Sequence, residues 1–136
     1  MTSSTDRSIA PGWRTFFLVA AIYDLVLGAA FFLLYGPLFE ALAIELPNNT
    51  SYIHLTAAFV FVQGLGYWIV AGNPAGNRGI VQMGVAYKFA FAALSFYYLA
   101  IGELLHATFL VFGILDAAFL IGFWWFLSQT AERRSA

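Results

Sequence analysis

The sequence predicts an all-α membrane protein, a bundle of four transmembrane helices with both termini cytoplasmic. Three observations predict it. The first is composition: of 136 residues, 62% are hydrophobic and only 10% charged, and the mean hydropathy is +0.81. A soluble domain would be roughly a quarter charged, and a chain this short cannot hide so much apolar surface in a core of its own. The second is continuity: the apolar residues fall into four unbroken runs separated by short polar breaks. Each run is near the ~20 residues that a helix needs to cross ~30 Å of hydrocarbon, whereas barrel strands would alternate over ~10 residues. The third is the placement of charge. Arg7, Arg14, Arg78, Arg133 and Arg134 lie at the N-terminus, the second loop and the C-terminus, offset there by Asp6 and Glu132. The first and third loops carry Glu40, Glu45 and Glu103 and neither Lys nor Arg. The positive-inside rule then holds both termini in the cytoplasm, which implies a cell (inner) membrane location.

The helices are expected over residues 14–38, 52–71, 79–101 and 105–128, within a single integral membrane domain of residues 1–136. The polar stretch MTSSTDRSIAPG precedes the first, which is too long for a signal-peptide core. Gly36-Pro37 reads as its stop, and Pro47-Asn48-Asn49 as the following turn. Ser51 or Thr50 would cap the second helix, although PNNTS also holds two overlapping glycosylation triplets at Asn48 and Asn49. Gly72-Asn73-Pro74 ends the second helix and Gly102 the third. Trp13, Trp68, Trp124 and Trp125 cluster at the expected inner boundary, and Tyr35, Tyr52, Tyr97 and Tyr98 near the outer one.

Three charges fall inside the apolar runs: Asp24, Lys88 and Asp116. Asp24 is ten residues past Arg14 and Lys88 ten past Arg78; Gln63 is nine before Gly72 and Asp116 twelve before Ser128. At 1.5 Å per residue all four lie ~14–18 Å in, close to the bilayer midplane. Each unpaired charge there costs at least ~2.5–3.5 kcal/mol, so the four residues are expected to face one another. Lys88 between Asp24 and Asp116, with Gln63 alongside, would satisfy most of them and leave a formal charge of −1. A protonated aspartate or a bound cation or donor would complete such a site. Small residues flank each member: Gly84, Ala92 and Ser95 around Lys88, Gly66 beside Gln63, Gly113 before Asp116, and Ala20, Ala21 and Gly28 about Asp24. Tyr23, Tyr67 and Tyr87 lie next to or one turn from the set.

A faint internal repeat accompanies it. VAAIYDLVLGAA aligns with MGVAYKFAFAAL, pairing Tyr23-Asp24 with Tyr87-Lys88, and FVFVQGL aligns with FGILDAA, pairing Gln63 with Asp116. Two parallel hairpins about an axis along the membrane normal would gather all four residues on that axis.

The residues leave several readings open. The charged set is either a site for a proton, ion or polar headgroup, or a buried ion pair that only fixes helix order. His54 and His106, near the outer ends of their helices, would be either interfacial side chains or, with Glu103, an outer metal or haem b site. The fifteen phenylalanines face lipid and fill the bundle, or line a pocket for a quinone. Other chemistry is excluded. Without cysteine there is no disulfide, thiolate ligand or cysteine nucleophile, a net charge of −1 argues against a nucleic-acid binder, and no hydrolase motif or phosphate loop occurs.

Tyr23-Asp24-Leu25 with Gly28, then GLGYWIVAGNP from Gly64 to Pro74, then Lys88, then Asp116, resemble a group of small four-helix bacterial membrane proteins similar to the DoxX-like class. This chain departs from that pattern with Asp24 in place of an Asn and Phe89-Ala90 in place of a Gly-Pro. The resemblance implies an association with quinone-linked oxidation of small sulfur compounds and carries over no catalytic residue. Two functions are therefore expected as alternatives. One is a small inner-membrane binding or transport protein, working as a homo-oligomer because four helices are few for alternating access. The other is an auxiliary subunit of a larger membrane redox complex, contacting quinone or lipid, in which the charged set is structural.

Overall fold

The computed structural model describes residues 9–135, and every regular element in that span is helical. The order is α1 (Pro11–Ala41), α2 (Ser51–Gly72), a 3-10 turn (Ala75–Asn77), α3 (Arg78–Ala100) and α4 (Ala107–Ser135). All four helices are long and apolar enough to cross a membrane, so the chain is a multi-pass membrane protein. The predicted all-α, four-spanning class stands. Asp6 and Arg7 lie outside the described residues, as do the side chains of Glu132, Arg133 and Arg134.

Contacts group the helices into two hairpins that divide at Pro74, α1 with α2 and α3 with α4. In the first hairpin, α1 buries Phe17, Ala20, Ala21, Asp24 and Gly28, a stripe at helical spacing. Its contact with α2 is set by two glycines. A Cβ added at Gly28 would lie 2.7 Å from the Phe61 nitrogen and 2.8 Å from the Ala57 carbonyl oxygen. One added at Gly64 would lie 2.7 Å from the Leu25 nitrogen. Each helix thus offers a glycine to the other's backbone, which is how helices gain van der Waals contact when lipid supplies no hydrophobic drive.

Two boundaries differ from the sequence expectation. Gly36-Pro37 does not stop α1. Pro37 lacks the N–H that would bond Leu33 and its ring crowds that carbonyl, and the helix absorbs both at Leu34, which leaves helical geometry at φ −125° and ψ 24°. The helix then runs another turn and closes in a Schellman arrangement: Ile44 N–H bonds Phe39 O at 2.9 Å and Ala43 N–H bonds Glu40 O at 3.0 Å. This places Ala43 at φ +54°. At the start of α2 neither Ser51 nor Thr50 caps through its side chain; Asn49 Oδ1 accepts from both Ser51 N–H (3.0 Å) and Ser51 Oγ–H (2.6 Å).

In the second hairpin α3 buries Val81, Gly84, Lys88, Ala92 and Ser95, again one face. A Cβ at Gly113 on α4 would meet Ser95 Cβ at 2.8 Å, so this pair also meets at a glycine. Gly102 ends α3 as its sequence predicts, at φ +75°, with Glu103 N–H on Tyr98 O (2.9 Å) and Gly102 N–H on Leu99 O (3.1 Å). Outward faces are apolar on every helix; Val26, Phe59, Met83 and Ile121 are each more than 60% exposed. Large hydrophobic side chains face outward on every helix, and the charged residues of the spans are buried together with small residues and the rings of Phe17, Tyr67, Phe123 and Phe126.

Candidate functional site: charges buried in the hairpins

Lys88 lies midway along α3, on the face that carries Gly84 and Ala92, where no bulky neighbour blocks α4. Asp116 lies on α4 one turn past Gly113. The two close a salt bridge, Nζ to Oδ1 at 2.9 Å, with side chains 1% and 6% exposed. The Lys88 Nζ is also 5.4 Å from the ring centroids of both Tyr87 and Phe119. An ammonium in a low-dielectric site gains from a ring face as well as from its carboxylate. As an ammonium against a carboxylate the pair is formally neutral.

Phe119 is a contact that the sequence reading missed. Its signal was available, because it follows Asp116 by three residues and so shares its face.

The first hairpin holds Asp24, 1% exposed in the middle of α1. Gln63 stands next to Gly64, the residue that approaches the backbone of Leu25, so Gln63 and Asp24 lie at the same level of the α1–α2 pair. Gln63 is only half-buried. Tyr67, one turn on, is fully buried, and Tyr23 and Tyr87 are half-buried. Of the predicted set, then, Lys88 and Asp116 are brought into direct contact within one hairpin, while Asp24 and Gln63 share a level of the other.

The histidines are placed by local structure. In the first hairpin His54 lies against two rings of α1, Phe32 at 4.6 Å and tilted by 30° and Tyr35 at 5.1 Å and edge-on (85°). In the second, His106 immediately precedes α4 and its Nδ1 accepts the Thr108 N–H at 3.1 Å. That is helix capping by an imidazole, and it leaves the ring proton of the neutral form on Nε2. Glu103 donates its backbone N–H to Tyr98 O in the turn that ends α3. Among the described residues no group of three or more His, Asp or Glu side chains is placed to hold a metal ion.

A further polar contact sits at the other end of this hairpin. Arg78, the first residue of α3, donates from its guanidinium to the Leu127 carbonyl of α4 at 3.2 Å. The sequence marks Arg78 as a topology signal only; its role as a clasp on α4 depends on where α4 passes.

Comparison with protein-family models, with characterised proteins and with solved structures found no match to this chain.

Proposed function

We propose that this chain is a small protein of the cell inner membrane, both termini cytoplasmic, that binds or transports a proton, ion or polar headgroup. Its buried charges Asp24, Lys88 and Asp116, with the half-buried Gln63, would do the binding. The observation that carries the reading is burial. Three ionisable side chains, none more than 6% exposed, sit in helices that are otherwise apolar, where a charge is costly enough that function is its usual reason. Two buried carboxylates against one buried ammonium give these helices a formal charge of −1, which a bound proton or small cation would balance.

The test is flux and binding in proteoliposomes. Asp24→Asn and Asp116→Asn each remove one negative charge at almost constant volume. Proton or cation flux is expected to fall at least tenfold in one or both, with helix content and elution volume as in wild type. Wild-type flux and binding in both variants would end the proposal.

A second reading has its own support. A lysine and an aspartate in contact within a hairpin are also what a purely structural pin requires. On that reading the chain is an auxiliary subunit of a membrane redox complex, in line with the DoxX-like resemblance. Purification from native membranes in mild detergent separates the two, since a subunit brings larger partners and an independent transporter comes alone or as a homo-oligomer.

A further inference from the structure

The α3–α4 hairpin carries an open groove of about 400 Å³ lined by Gln82, Val85, Trp124, Leu127, Ser128 and Ala131. The lining changes character along its length. Arg78, whose guanidinium is fixed on Leu127 O, stands at one end. Gln82 follows one turn into the helix, and Ser128 and Ala131 belong to the last turns of α4. Val85 and Trp124 lie a further turn in, ~10 Å from the start of α3. The groove is therefore polar at the membrane boundary, with Arg78 held beside it on Leu127, and apolar toward the hydrocarbon, the same gradient as an amphiphile.

Charge selects the amphiphile. Within the second hairpin the sequence supplies Asp116 and Glu103 as carboxylates up to residue 131, and neither belongs to this end: Asp116 is engaged by Lys88 and Glu103 follows the far end of α3. Arg78 shares its side of the span with Arg133 and Arg134 against Glu132, a formal excess of two positive charges. A planar guanidinium matches phosphate oxygens two at a time.

We propose that this groove holds one anionic phospholipid, its phosphate on Arg78 and Gln82 and an acyl chain along Val85 and Trp124. The site is separate from the buried charged set and does not depend on any transport role for that set. The gradient distinguishes a lipid from free phosphate, because the apolar half of the groove has no use in holding a small anion.

Native mass spectrometry of the full-length chain, released from detergent, tests it with two lipids of equal acyl chains. Dioleoyl phosphatidylglycerol is expected to be retained, one per chain, at about fivefold lower concentration than dioleoyl phosphatidylcholine, the discrimination that one surface cation supplies. Arg78→Gln should reduce the two lipids to equal retention, and Arg78→Lys should restore part of the difference. Ala131→Trp, which fills the groove and keeps the charge, should lower retention of both. Equal retention of the two lipids by wild type overturns the proposal. So does a phosphatidylglycerol preference that survives Arg78→Gln, retention unchanged by Ala131→Trp, or displacement of the lipid by millimolar inorganic phosphate. Should Arg78→Gln fail to fold, the wild-type comparison and Ala131→Trp decide the matter.

Discussion

Lys88 and Asp116 form a unit, and removing one member costs more than removing both. Lys88→Met strands a carboxylate in a site that excludes water, and the loss of stability is expected to be about 3–5 kcal/mol. Lys88→Met with Asp116→Leu should recover most of that, as read by thermal unfolding in detergent. A neutral single variant would show that the pair contributes nothing to holding α3 on α4. The three charged residues were legible in the sequence because a charge in an apolar run has few neutral explanations. Their pairing was legible only in part. Counting residues along a helix fixes depth, which is why Lys88 and Asp116 were placed at one level. It does not by itself say which neighbour at that depth is within reach; the Asp116 half of the expected placing of Lys88 between two aspartates is the ion pair at 2.9 Å. For His106 the interfacial reading fits its place at the start of α4, but nothing in the letters says that its ring accepts a backbone N–H there.

At the scale of elements, the hairpins depend on close backbone approach. Gly28→Val forces a side chain into the Phe61 backbone, which cannot give way as a flexible side chain would. A loss of about 1–3 kcal/mol is expected, with Gly36→Ala as the control because nothing lies within 4 Å of its added carbon. The opposite sign is expected at Ala43. Its left-handed backbone at φ +54° burdens any residue with a Cβ, so Ala43→Gly should raise stability by about 0.5–1 kcal/mol. Both shifts are measurable as changes in unfolding midpoint. Helix number and approximate ends followed from hydropathy and turn residues. The error at Gly36-Pro37 has a physical cause. Proline disfavours helix by a local penalty that a long apolar helix offsets by kinking, and that balance lies outside any local rule.

For the molecule as a whole, composition alone was decisive for class: too much apolar surface for water, arranged in runs of membrane length. Orientation is the next global property open to measurement, and the absence of native cysteine makes it direct. With cytoplasmic termini, a cysteine introduced by Asn49→Cys in the first loop should react with a membrane-impermeant maleimide in intact spheroplasts. One introduced by Gly76→Cys should react only after lysis. The reverse pattern would invert the topology and move the Arg78 end to the outer leaflet.

The salt bridge of the second hairpin also has a consequence in time. The ribosome delivers Lys88 before its counter-ion, which follows 28 residues later, and α3 is the least apolar of the four spans. Alone in the translocation machinery it would carry a naked ammonium toward lipid. Its commitment to the bilayer is therefore expected to wait for α4, the two helices leaving the translocon with Lys88 and Asp116 paired. Protein biogenesis would record this as a truncation phenotype: a nascent chain stopped at residue 104 should leave α3 accessible to protease, while the full chain protects it.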